Sequence, residues 1–214
     1  MKKPILFLLA AFIATTAAFS QSEKYVAAMQ KNLPLFDSAK TAEDYTKLAN
    51  TLERIGDAEK TQWAPYYYAA LALSSSGWLP QIADKDVNAE KTLAFCTKAE
   101  ALAPDDIAKS EIETIRNMAA TQQMMVNPQV RWGTYGKAAG DALQKGMKLN
   151  AANPRVYYLQ GMSMMGTPVQ FGGGKDKAKP LFEKAVELYK AEKQKPLYPH
   201  WGQKQAEDAL AQCQ

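Results

Sequence analysis

The chain has 214 residues, with 26 Lys and Arg against 22 Asp and Glu, two Cys and a single His. A net charge of +4 spread over this length argues against nucleic acid as a partner, which asks for a clustered basic face. Lys and Glu instead alternate in stretches such as KAVELYKAEK and EKTLAFCTKAE, the pattern of solvated outer helix faces.

Residues 1–20 read as a cleavable secretory signal peptide, with Lys2 and Lys3, an apolar run from Ile5 to Ala14, and Ala18-Phe19-Ser20 before Gln21. The apolar run is about half of the roughly 20 residues that a membrane span needs. No Cys lies near the cut, so a lipid anchor is not indicated. Cleavage after Ser20 would remove two Lys and no acid and leave residues 21–214 with a net charge of +2. That part suits one domain or a single repeat array, soluble in the periplasm or outside the cell, with nothing able to insert in a membrane.

The mature part shows recurring helix start and stop signals and no useful period-2 apolar pattern. A first pair of helices is expected over 22–56, from about Ser22 to Phe36 and from Thr41 to Ile55. Thr41 with Asp44 forms a capping-box variant, and Gly56-Asp57 closes the pair. The second pair spans 63–102, where Pro65 sits in the first turn and YYYAALAL runs to Gly77. Tyr66, Ala70 and Leu73 fall at i, i+4 and i+7, and Thr92, Cys96 and Ala99 repeat the spacing. The third pair, 105–149, opens at Asp105, breaks at Asn127-Pro128 and resumes near Thr134, with Ala139, Leu143 and Gly146 in small-large-small order. In the fourth, 153–190, Asn153 caps and Pro154 takes the first helical position. Tyr157, Gly161 and Met164 mark its first helix, and Ala178, Phe182 and Ala185 its second. A helix over 202–212 would cover the open face of the stack.

The small and large residues of the fourth pair resemble the tetratricopeptide repeat (TPR), and Tyr157, Gly161, Ala178, Phe182 and Ala185 match its pattern. Gln160 stands where Leu is usual, and the linker TPVQFGGG is longer than the family's turn. The pairs start near Ser22, Trp63, Ile107 and Asn153, which are 41, 44 and 46 residues apart against the roughly 34 of a TPR, so the unit is a divergent one. NPRVYYLQG and FGGGK are also similar to exported TPR-like proteins of Gram-negative bacteria. The resemblance implies an all-α fold of stacked antiparallel helix pairs, a TPR-like α-solenoid. It also implies a groove on the first helices that holds an extended peptide. The positions beside the motif residues, Tyr67, Arg116, Arg155, Tyr158 and Met162, are expected to be exposed there, although a tyrosine stripe at helical spacing also suits packing between repeats.

The excess length sits in three turns, SSSGWLPQIADKD, VNPQVRWGTYG and TPVQFGGGKD, each with an aromatic: Trp78, Trp132 and Phe171, with Arg131 beside the second. These rings either build one partner-binding edge or fold back to seal their own loops. Chemistry gets little support. FGGGKD lacks the first Gly and the Ser or Thr of a phosphate loop, His200 has no second zinc ligand at hand, and no G-x-S-x-G occurs. Cys96 takes a core position, so a free thiol is simpler than a disulfide to Cys213. The expected function is a non-catalytic protein-interaction or scaffold module with a protein or peptide partner and no cofactor. The alternative is a small-ligand binder or enzyme with a pocket under the long loops, drawing on His200, Arg131 and Tyr135.

Overall fold

The computed structural model describes residues 22–214, and every regular element among them is helical. The signal-peptide reading of residues 1–20 lies outside the described residues.

Side-chain caps place most helix starts. Ser22 caps α1 (Glu23–Asn32), and a single turn, α2 (Leu35–Ser38), follows it. Thr41 and Asp44 form the full reciprocal capping box of α3 (Ala42–Glu59). Asp84 caps α5 (Lys85–Leu102), and Asp105 caps α6 (Asp106–Met125). Each cap oxygen takes an amide that has no partner inside the helix, which stabilises by about 1 kcal/mol. α4 (Ala64–Ser76) has no such cap and relies on Pro65 in its first turn. It is apolar on every face, and it is the central helix, packed against α3 on one side and α5 and α6 on the other.

Two boundaries depart from the sequence reading. α3 runs through Gly56 to Glu59, because this glycine is a contact and not a stop: a Cβ there would lie 2.8 Å from the ring of Tyr66, whose hydroxyl donates to Asp57 at 2.7 Å. The segment 127–136 is helical instead of a turn. Asn127 caps α7 (Pro128–Arg131), and a π-helical turn, Trp132–Gly136, leads into α8 (Lys137–Leu149). Such a π turn adds a residue to the helical circuit and re-aims the side chains that follow.

Asn153 caps α9 (Pro154–Gly166) with Pro154 in the first turn. A 3-10 turn, Val169–Phe171, then precedes α10 (Lys175–Ala191), and Gly172 and Gly174 take the positive φ of 84° and 103° that this turn requires. A last helix, α11 (Gln203–Ala211), packs on α10. Consecutive helices pack along their lengths as pairs, α3 with α4, α4 with α5, α5 with α6, α6 with α8 and α9 with α10.

The apolar interior comes in unequal parts. One large cluster runs from Tyr25 and Met29 through the α4 aromatics to Ile112 and Ile115, and small clusters around Phe182 and Tyr189 join α9, α10 and α11. Between these bodies α9 touches α6 and α8 only briefly, and beside the buried Val156, which packs on Gly146, the seam carries buried polar contacts. There Asn153 donates to Ser110 Oγ at 3.0 Å, and Ser110 donates to the Gly146 carbonyl at 2.8 Å. Cys96 and Cys213 are both free thiols, and burial pushes the Cys96 thiol up to about 12.

Gly161 shows why the fourth pair has its small residue: a Cβ would sit 2.5 Å from the Phe182 ring, itself fully buried. Gly161→Ala is expected to lower stability by about 1–3 kcal/mol, measured by urea denaturation, because the ring has no free space to move into.

Candidate ligand-binding site

Side chains from nearly the whole chain converge on one concave cavity of about 2220 Å³. Phe36 and Tyr45 line it from the N-terminal side, Leu71 from α4, Met118 and Met125 from α6, and Leu143 from α8. Tyr158, Leu159 and Met162 of α9 complete the wall, while α5 and α10 contribute nothing and lie outside. Residues from both ends of the chain thus face one space, so the helix pairs curve around it. Small-molecule pockets usually hold about 300–1,000 Å³, so this one is an open groove with room beyond a single compact ligand.

The three turn aromatics all belong to this lining. Trp78 remains 48 % exposed, Trp132 56 % and Phe171 75 %. Trp132 leans over Gly136, where a Cβ would be 2.7 Å from its ring, so it packs partly on its own segment. All three rings nonetheless keep about half or more of their surface in water. Each keeps a large apolar surface in water, at the rim of an apolar wall that also exposes Met125, Met162 and Met164. A contiguous patch of this kind marks an interaction site more often than a resting surface.

The groove positions expected on the first helices divide. Tyr158 and Met162 do line the cavity, and burial raises the Tyr158 phenol. Tyr67, Arg116 and Arg155 do not, which corrects the expectation that they are exposed. Tyr67 is 1 % exposed and Arg155 is wholly buried. Arg116 is drawn into an ion network, donating to Glu100 at 2.7 Å beside Glu113, which Lys145 also reaches. Arg131 is likewise taken up locally. It donates to Asp86 at 2.7 and 2.9 Å and to the Gln123 carbonyl at 3.0 Å, and it stacks on Tyr135 at 5.6 Å. It fastens α7 to α5 and α6 and is not part of the cavity wall, so His200, Arg131 and Tyr135 do not form one constellation.

Sequence reasoning missed the segment that closes the groove. Residues 192–202 leave α10, cross to α4 and return to α11 as a strap, which brings His200, Trp201 and Gly202 into the cavity lining. Tyr68 donates to the Tyr198 carbonyl at 3.0 Å, Trp201 Nε1 donates to Tyr67 Oη at 2.7 Å, and Tyr198 donates to Asp105 at 3.3 Å. His200 Nδ1 lies 3.3 Å from the Tyr198 carbonyl.

Arg155 anchors this strap from beneath. Its Nη1 donates to Glu192 at 2.7 Å and to Glu111 at 3.2 Å, and its Nη2 donates to the Pro199 carbonyl at 2.7 Å and to Glu192 at 3.2 Å. Its guanidinium also stacks on Tyr189 and Trp201 at 5.5 and 5.6 Å. Burial opposes its charge, but Glu111 and Glu192 more than offset this and hold its pKa above the ordinary arginine value.

No protein-family model and no curated protein sequence matches the chain. Among solved structures, the HusA haemophore from Porphyromonas gingivalis superposes with a TM-score of 0.79 at 38 % identity, over 88 % of this chain and 92 % of that one. The chain belongs to the HusA haemophore family. A haemophore is a carrier of a small ligand, and this overturns the expectation of a protein-interaction scaffold with a peptide in its groove. No described helix is long and apolar enough to cross a membrane.

Rim and anchor are expected to separate cleanly in stability measurements. Phe171→Ser should leave the urea midpoint within about 0.5 kcal/mol of the parent, since its ring is largely in water. Arg155→Leu should destabilise by about 3 kcal/mol or more, because it leaves two carboxylates without their cation.

Proposed function

We propose that this chain is a binding protein that carries haem, or a planar tetrapyrrole of the same chemistry, in the apolar groove, with Trp78, Trp132 and Phe171 as the contact rings of its rim. The observation that carries the reading is the exposure of these three rings on one concave apolar wall. A large flat macrocycle offers the complement, since its faces can cover several rings at once and remove their remaining apolar surface from water. The haemophore description of HusA, at 38 % identity over most of both chains, supports the same ligand class. Among the described residues, His200 and Lys204 are the lining side chains able to carry positive charge, and both lie at the α11 end beside Glu207; with Lys204 paired to Asp208, His200 is the partner that we assign to the acidic side arms of a haem.

The reading makes the protein a binder and not an enzyme. TPR-like stacking of the helix pairs is the architecture that we assign to it, as the means of curving a wall around the ligand. Export through the signal at residues 1–20 suits a carrier that works outside the cytoplasm, and the secreted form is expected to begin at Gln21, which intact mass of the recovered protein checks.

Titration with haemin, followed by absorbance and by tryptophan quenching, is expected to give saturable binding. Replacing Trp78, Trp132 and Phe171 together with Ser should weaken it at least tenfold, about 1.4 kcal/mol, with the helical content unchanged. Unaltered affinity in that triple variant would refute the groove as the site.

A further inference from the structure

The strap that closes the groove is held by an unbalanced charge cluster. One guanidinium, Arg155, serves two carboxylates: Glu111, rooted in α6, and Glu192, at the start of the strap. The two differ in freedom. Glu111 is buried between Arg155 and the Tyr67 hydroxyl, whereas Glu192 is partly exposed and begins a segment without regular structure. Arg155 also reaches past Glu192 to the Pro199 carbonyl, two residues before Trp201. Arg155 thus ties both the start of the strap, at Glu192, and the stretch just before Trp201.

We infer that Glu111 and Arg155 act as positioning residues for the ligand groove, and that gain or loss of a proton on Glu111 docks or loosens the strap and so sets how tightly the ligand is held. The inference rests on the proposed binding of a haem-like ligand in that groove.

In the structure Glu192 takes the guanidinium with both oxygens, at 2.7 and 3.2 Å, while Glu111 stands 3.2 Å from Nη1; a proton on Glu111 leaves Glu192 as the one anion on Arg155, so the strap is docked. With Glu111 ionised, two negative charges share one cation in a site with little water. The buried one cannot leave, so the repulsion displaces Glu192 and with it the strap.

The groups facing Glu111 are Arg155 from α9, Glu192 and Tyr189 from α10 and its end, and Tyr67 and Tyr68 from α4. Burial raises all three phenols, so Arg155 and Glu192 are the charged neighbours near neutral pH. Burial also raises Glu111 to about 7, only partly countered by Arg155. A raised carboxylate stabilises the fold below its unfolded value and loses that contribution as the pH rises through about 7.

The test compares the parent, Glu111→Gln and Glu192→Gln, all of which keep the groove lining unchanged. The indole N–H signal of Trp201, assigned with Trp201→Phe, is followed by NMR from pH 5.5 to 8.5 without ligand, and haemin affinity is measured over the same range. In the parent, the Trp201 signal should shift through a single transition near neutral pH, and haemin affinity should fall about threefold or more above it. Glu111→Gln should hold the docked signal throughout and show a smaller fall, the comparison cancelling any titration of the ligand itself. Glu192→Gln should move the transition down by about one pH unit or more, since Glu111 then has Arg155 alone. An unchanged transition in Glu111→Gln overturns the inference. A Trp201 transition that responds to both variants in a protein that binds no haemin supports the strap mechanism and removes only the choice of ligand.

Discussion

A single buried cation holds this molecule together where its apolar core does not. The large cluster built on α4 and the small clusters of α9, α10 and α11 meet across a seam that carries buried polar contacts, and Arg155 lies in that seam with no exposed surface. Removing a guanidinium from water is costly, and it becomes tolerable only because two carboxylates, a carbonyl and two aromatic faces surround it. Those partners come from α6, from the end of α10 and from the strap, so satisfying one charge fixes the placement of three elements. A hydrophobic contact would have tolerated several arrangements, and this cluster tolerates far fewer.

The groove follows from that arrangement. With α9 and α10 held against α6 by Arg155 and by Asn153, the helix pairs curve, and the strap crosses back to Tyr67 and Tyr68. The concave side is then apolar because α4 carries no polar face and α6 and α9 present methionines and aliphatic residues inward. The long turns reach the rim of this wall, where their rings stay in water.

Much of this was legible beforehand, and the misses have specific causes. The caps at Thr41, Asp105 and Asn153 were readable because capping is local, decided within four residues. The small-large spacing at Gly161 and Phe182 was readable because a close helix pair requires it. Tyr67 was misplaced because the helix was assigned an exposed face, whereas APYYYAALALSSS is apolar all round and signals a fully buried helix. Arg155 was misplaced for the opposite reason. A charged side chain is exposed by default, and its partners Glu111, Glu192 and Pro199 lie 37 to 44 residues away in sequence. Gly56 was read as a stop when it marks the place where Tyr66 lies against the helix.

The sequence by itself determined that the described residues are helical, where most of their helices begin, and which three segments between the long helices carry surplus aromatic rings. These properties depend on neighbours within one or two turns of helix, so they survive without knowledge of the fold. The tertiary structure alone decided that the three rings face one space, that residues 192–202 close it, and that a charge expected at the surface is its buried anchor. Each of these depends on the direction in which helix pairs curve, and that direction is set by contacts between residues far apart in the chain.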